Sequence, residues 1–371
     1  MEVGTMLHKE NWQETKDRFA AWWKGDSTDR PLMRVVARIE DPSVKPRPLD
    51  EPKDPADIYL NVDFLVEEYR NYCSTRVFLA ESFPAVDLNL GAGSMALYLG
   101  SEPEFRWDTL WFQECIEDYD AWGPLQYDPE NHWWQTHLRI ISRAQELAAG
   151  DFLINIPDIG EGLDILSAMR GPQDLCIDLM DNPSAVGQRV KELDRLYFRY
   201  YDPMYELTKD QSGGSSFTAF YIWGPGKTAK IQCDFSALIS PGQYREFALP
   251  SLRLQCQQLD FSLYHLDGPD AIRHLDALME IEELNALQWT AGAGQPDGGN
   301  ERWYAIYDKV KDAGKSLWVE IHDGDLHDWI QTADRFVKRY GADGLYLLFP
   351  DMEAREAEEL MLFAQRHWTR S

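Results

Sequence analysis

From residue 152 onward the chain alternates between short apolar runs and longer segments with helical spacing. The apolar runs lie near residues 153, 218, 262, 286, 318 and 345. Strands that alternate with helices over short connections are typical of βαβ units and a parallel sheet. A run near residue 77 makes seven strands, and Leu32–Ile39 or a run within 95–115 would supply the eighth. The pattern predicts an α/β protein, a (β/α)8 TIM barrel with an N-terminal helical and loop extension.

The first 75 residues follow a less regular pattern. Asn11–Lys24 has helical spacing, residues 41–56 are rich in proline and charge, and Ala56–Tyr72 is helical again. The proline-rich stretch predicts an exposed loop. We therefore predict that residues 1–75 form an extension packed on a barrel made of residues 76–371.

Charge and cysteine content narrow the class of protein. The 371 residues carry a net charge of −27, which repels phosphate backbones and anionic membranes, so neither nucleic acid nor membrane is expected as a partner. No apolar run approaches the roughly 20 residues of a membrane span. Five cysteines without a Cys-x-x-Cys pair favour a reducing compartment. The N-terminus lacks signal-peptide features, and we expect a cytoplasmic protein.

Aromatic residues are abundant, with 14 Trp, 17 Tyr and 16 Phe. Aromatic faces beside carboxylates suit sugars or organic cations, which predicts a small-molecule substrate of one of these kinds. The alternative explanation is a tryptophan-rich core with aromatic rims at the interface of a homodimer.

The stretch Phe261–Asp270 carries the most specific candidate chemistry. An apolar run ends there in His265 and Asp267, before the turn at Gly268-Pro269. Residues two apart in a strand share a face, and barrel enzymes build their sites at the carboxyl ends of strands. The alternative is a buried histidine that is hydrogen-bonded near a turn aspartate.

Other polar or aromatic residues follow the predicted strands and would face the same mouth of a barrel. We predict that one set binds substrate: Trp223, Lys227, Trp289, Asp158, Glu161 and Asp234. A second set would carry the reaction: His265, Asp267, Glu320, His322 and Asp87.

Three chemistries fit these residues. His265, Asp267 and His322 supply two nitrogens and one oxygen, a set compatible with Zn²⁺ that keeps one open position. Without metal, Asp267 or Glu320 would act with a histidine in acid/base catalysis. Glu161 and Glu320 beside tryptophan platforms would suit glycoside chemistry.

The second half of the chain resembles the uroporphyrinogen decarboxylase superfamily, which includes the methylcobamide:coenzyme M methyltransferases. Asp158–Gly171 is similar to a strand-end segment of that superfamily and the helix after it, and Gln232–Pro250 to its Asp…Ser-Pro…Phe…Pro block. Tyr264–Gly268 stands where the superfamily has His-x-Cys-Gly, and Asn285–Trp289 and residues 341–349 are similar to its last repeats.

This resemblance implies an enzyme, with Asp87 at the position of the catalytic aspartate. The zinc methyltransferases of the superfamily work with a corrinoid (cobalamin) protein, which implies such a partner and a zinc ion held by His265. The arginine-rich segment of the decarboxylases is absent around Arg30–Arg34, and Asp267 replaces the zinc-binding cysteine.

We therefore expect a corrinoid-linked methyltransferase that acts on a small neutral or cationic methylated substrate. One alternative is a metal-independent decarboxylase or lyase that uses Asp87 and His265. Another is a carbohydrate-active or sugar-binding barrel.

Overall fold

The computed structural model describes residues 6–39, 41, 43 and 45–369. Pro42 of the predicted exposed loop and residues 1–5 of the signal-peptide argument lie outside this part. The strands are β1 (Leu32–Arg38), β2 (Arg76–Ala80), β3 (Ala85–Val86), β4 (Pro103–Phe105), β5 (Leu110–Phe112), β6 (Leu153–Ile154), β7 (Ser215–Phe217), β8 (Ile222–Gly224), β9 (Thr228–Gln232), β10 (Phe261–Asp267), β11 (Ala286–Thr290), β12 (Ser316–Glu320), β13 (Leu345–Leu348) and β14 (Met352–Glu353).

Helices fill most of the intervals between the strands. The α-helices are α1 (Trp12–Lys24), α2 (Asp57–Leu60), α3 (Val62–Ser74), α4 (Met95–Tyr98), α5 (Tyr119–Trp122), α6 (His132–Ala148), α7 (Gly162–Arg170), α8 (Pro172–Asp181), α9 (Pro183–Thr208), α10 (Pro241–Gln243), α11 (Leu249–Gln258), α12 (Leu275–Met279), α13 (Tyr304–Asp312), α14 (Leu326–Tyr340) and α15 (Ala354–His367). Short 3-10 helices span Thr218–Phe220, Asp234–Leu238, Pro269–His274 and Glu301–Trp303, and a π-helical turn spans Tyr244–Ala248. No helix in the described part of the chain is long and apolar enough to cross a membrane.

The central sheet is largely parallel. Its strands lie in the order β14-β1-β13-β12-β11-β10-β9, all parallel, and β2 adds an antiparallel partner to β1. Every residue of β13 is buried, as is every residue of β9. Apolar runs of this kind are typical of parallel strands that are covered on both faces. The predicted α/β class is confirmed.

A closed eight-stranded barrel is not found among the strand pairs of the described residues. β3–β6, β4–β5 and β7–β8 form separate two-stranded ladders. Pro84 precedes β3 and Pro157 follows β6, and proline cannot donate to a ladder, so these strands stay short. Single backbone hydrogen bonds continue beyond them, for example from Ile156 N to Ser216 O at 2.9 Å.

The N-terminal segment is part of the sheet and its core. β1 pairs with β2 and also with β13 and β14, so residue 75 does not separate a sheet domain from an extension. Helix α1 covers the amino ends of the strands, where Trp22 Nε1 donates to Leu317 O (3.3 Å) and Trp23 Nε1 to Trp223 O (2.8 Å). The buried apolar residues of β1 explain why this segment pairs inside the sheet.

Candidate functional site at the carboxyl edge of the sheet

Parallel strands bring their carboxyl ends to one edge, and alternate residues there share a face. In the ladder, His265 pairs with Gln232 on β9 and with Gln288 on β11, while Asp267 pairs with Thr290. These five polar side chains therefore lie on one face, at the carboxyl ends of three neighbouring strands.

A hydrogen-bonded chain fixes the His265 ring. Gln288 donates from Nε2 to Thr290 Oγ1 (2.7 Å), so its amide oxygen faces His265 Nδ1, with which it makes a short contact. Burial, and then the charge of Lys230, lowers the pKa of His265. The ring is thus neutral with its proton on Nδ1, which leaves the lone pair of Nε2 available to a substrate or a metal.

Asp234 completes a group with His265 and Asp267. Each of the three offers one ligand-type atom, and these atoms lie within 4.8 Å of one another. Gln232 Nε2 donates to Asp234 Oδ2 (2.9 Å) and to Asp164 Oδ2 (3.1 Å). Asp164 in turn accepts the backbone N–H groups of Asp234 and Phe235, both at 2.9 Å, and so holds the loop that carries Asp234.

Burial raises the pKa values of two carboxyl groups at this edge, Asp234 and Glu161. Burial raises the pKa of Asp234 to about 7, and the charge of Asp164 adds to this shift. Burial also raises the pKa of Glu161 well above its usual value, although Lys230 opposes the shift. Lys230 is 2% exposed, and its Nζ lies 2.6 Å from Asp158 Oδ2. Acid/base groups with perturbed pKa values are typical of functional sites.

The loop after β6 positions Asp158 and Glu161. It contacts the segment before α4, where Gly93 N donates to Asp158 O (3.2 Å) and Met95 N to Ile159 O (3.0 Å). Gly160 has a φ of +70°, and a Cβ added to it would lie 2.6 Å from Gly93 Cα. Only glycine fits this close approach of two backbones.

A cavity of about 840 Å³, here called the aromatic cavity, opens beside Asp234. Its aromatic lining residues are Tyr59, Trp111, Phe112 and Phe235, and its acidic ones are Asp108, Glu114, Asp164 and Asp234. Gln232 and Asn89 also line it. A concave site that combines apolar walls with a few polar groups is typical of small-molecule binding.

A second cavity of about 570 Å³, here called the arginine cavity, lies on the other side of Asp87. Arg34 forms its polar wall, with an ion pair to Asp351 (2.9 Å) and its guanidinium 4.0 Å from the Tyr221 ring centre. Asn89 lines the aromatic cavity and donates to Asp87 Oδ2 (2.7 Å), so this hydrogen bond lies between the two cavities. Burial raises the pKa of Asp87.

The structure brings most of the acidic candidates together, and His265 with them. His265, Asp267 and Asp234 form one group, and the charge of Asp158 acts on His265 and Asp234. Glu161 and Asp87 each lie near Asp158. His322 lies in a second group with Asp297 and Asp323, and Asp234 is the third member of the group that contains His265 and Asp267. Glu320 is exposed at the end of β12.

The three predicted binding residues outside this edge have structural contacts. Lys227 precedes β9, at the amino edge, and pairs with Asp202 at 2.7 Å. Trp223 is buried in the β7–β8 hairpin and packs on Trp12. Trp289 is buried against Trp303, on the face opposite Gln288 and Thr290.

The residues that the sequence analysis missed are Lys230, Gln232, Asp164 and Gln288. The strand that carries Lys230 and Gln232 begins only after Lys227. The apolar run near residue 218, which predicts a strand, forms a hairpin with a 3-10 turn instead. The signal for β9 was the alternating run Thr228–Gln232, directly after Gly226.

Comparison with known proteins gives a likeness in fold. No family model matches the chain, and no curated protein matches it. Among solved structures, a methyltransferase from Methanosarcina mazei aligns with a TM-score of 0.59 and 12% sequence identity, over 95% of this chain and 98% of that chain. The chain shares the fold of that methyltransferase. The resemblance to the uroporphyrinogen decarboxylase superfamily stays a prediction.

Proposed function

We propose that this protein is a methyltransferase that moves a methyl group from a small neutral or cationic substrate to a corrinoid on a partner protein. The observation that carries the proposal is that Asp234 lines the aromatic cavity and also belongs to the group with His265 and Asp267. A substrate in the cavity would therefore touch groups that can hold or transfer protons. The likeness in fold to a methyltransferase supports this reaction class.

The side chains around Asp234 have separate roles in this proposal. With a pKa of about 7, Asp234 can give a proton to a leaving group and regain one from water at neutral pH. His265 Nε2 accepts a hydrogen bond from the substrate, and Gln288 keeps the ring in place. Lys230 forms an ion pair with Asp158 beneath them.

The donor set of Asp234, His265 and Asp267 also fits a divalent metal. One imidazole nitrogen and two carboxylate oxygens are ligands that zinc accepts, with a position left open. A bound Zn²⁺ would supply Lewis acidity to the substrate. Asp234 would then serve as a ligand, and without a metal it would serve as the proton donor.

Methyl transfer to cob(I)alamin tests the proposal. Purified protein is incubated with methylated amines, ethers and thiols, and formation of methylcobalamin is followed by its absorbance. We expect turnover with one class, reduced about 100-fold or more in Asp234→Asn and His265→Ala, as for loss of an acid/base group. His327→Ala is the matched control, because His327 is exposed on α14. The absence of transfer from every class would refute the proposal.

Metal analysis of the same preparations separates the two roles of Asp234. Stoichiometric zinc that is lost in both Asp234→Asn and His265→Ala would assign Asp234 as a metal ligand. The comparisons lend no support to a decarboxylase or lyase. The carbohydrate alternative, the homodimer and the cytoplasmic location stay predictions.

A further inference from the structure

The aromatic cavity has an unusual charge distribution. Four carboxylic acids line it, namely Asp108, Glu114, Asp164 and Asp234, and no lysine or arginine is among the lining residues. None of the four forms an ion pair within 4.0 Å in the described part of the chain. At the same edge, Asp158 pairs with Lys230 and Asp351 with Arg34. The cavity lining is therefore acidic and contains no cationic side chain.

Aromatic rings line the same space. Phe235 is buried in the wall, whereas Trp111 is 62% exposed on the short β4–β5 hairpin. A large exposed indole beside carboxylates has an electron-rich face that attracts cations, and the attraction is strongest for cations with a weak hydration shell. Methylated ammonium groups fit this description, because methyl groups replace N–H donors and spread the charge over an apolar surface.

We propose that the aromatic cavity binds a methylated ammonium cation. Its role as the methyl-bearing substrate rests on the proposed function, whereas its binding does not. The rings supply cation–π contacts to the N-methyl groups, and the unpaired carboxylates supply the opposite charge. The volume of about 840 Å³ leaves room for a further substituent on the nitrogen.

A pair of isosteres tests this inference. Choline and 3,3-dimethylbutan-1-ol have the same shape, but a carbon replaces the charged nitrogen in the second compound. Calorimetric titration of the full chain should show choline binding at least about 10-fold more tightly than the alcohol. Trp111→Leu should weaken choline binding by about 3- to 30-fold and should leave the weak binding of the alcohol almost unchanged.

Trp122→Leu is the matched control. Trp122 is also a partly exposed tryptophan, at the end of α5, and it does not line the cavity. Three results would each overturn the inference. They are equal affinity for choline and its neutral isostere, no binding of choline, and a loss of choline affinity in Trp122→Leu as large as in Trp111→Leu. Selective choline binding without methyl transfer would refute the proposed function and leave the cation site standing.

Discussion

Lys230 is the buried cation of the acidic edge. Burial opposes its charge, but Asp158 and Glu161 outweigh that effect and raise the pKa of Lys230. Its Nζ contacts Asp158 at 2.6 Å and makes a short contact with the Gln232 side chain. One lysine thus pairs with Asp158 and orients the amide that donates to Asp234.

Replacement of Lys230 should show how much the ion pair with Asp158 contributes to stability. Lys230→Met leaves Asp158 without its counter-charge, and we expect a loss of about 3–5 kcal/mol in the free energy of unfolding, the usual cost of breaking a buried pair. The double variant Lys230→Met, Asp158→Asn should recover part of that loss, because no buried charge is then left unpaired. Both are measured by urea unfolding.

Lys227 provides the comparison. It is the neighbouring lysine of the same segment, and its pair with Asp202 is partly exposed. Lys227→Met should cost less than about 1 kcal/mol. Equal losses for the two lysine variants would show that burial does not set the strength of the Lys230 pair.

At the scale of single elements, the sequence predicts the strands better than it predicts which side chains meet at their carboxyl ends. His265 and Asp267 were predicted together because residues two apart in one strand must share a face. His322 follows β12, but Asp297 accepts hydrogen bonds from the backbone N–H of His322 (2.6 Å) and Asp323 (2.8 Å). This contact between two loops ties His322 to Asp297 and not to β10.

The segment between β7 and β9 shows that an apolar run does not always predict where a strand ends. The apolar run near residue 218 predicts one strand, yet Tyr221 adopts a left-handed conformation (φ 50°) and turns the chain into a hairpin. The next strand then begins at Thr228. The apolar pattern of residues 217–223 does not show the turn at Tyr221, because tertiary packing decides whether such a run forms one strand or a hairpin.

The loop after β6 gives a prediction at this scale. Gly160→Ala would force a Cβ against Gly93 Cα in a left-handed backbone conformation. We expect a loss of roughly 2–4 kcal/mol in unfolding free energy, from strain and overpacking together. The same variant should reduce activity, because the loop carries Asp158 and Glu161.

Gly150→Ala is its control. Gly150 also has a positive φ (+88°), but nothing lies within 4 Å of an added Cβ. Its cost should be limited to the strain, about 1 kcal/mol. If both variants lose the same stability, contact with Gly93 does not explain the glycine at position 160.

At the scale of the whole molecule, one hydrophobic core includes the N-terminal helix. Phe19 of α1 is completely buried and its ring centre lies 5.5 Å from Tyr346 on β13 and 5.7 Å from Phe83. The sequence pattern predicted α1 but made it part of an added domain, because nothing local shows which surface an amphipathic helix covers.

A single substitution in α1 should therefore destabilise the entire protein. Phe19→Ala should cost about 3–5 kcal/mol and lower the midpoint of one cooperative unfolding transition. Leu362→Ala, at a 41% exposed position on α15, should change it little. Two separate transitions would mean that α1 and the sheet unfold independently.

The position of β1 has a consequence for synthesis of the chain. β1 pairs with β13, with Leu32 opposite Tyr346, and with β14, so its partners lie more than 300 residues later. On a ribosome, β1 emerges more than 300 residues before β13, and one edge of β1 stays unpaired until β13 has been translated. Strands held open in this way are recruited by chaperones or by other chains, and such non-local pairing slows folding.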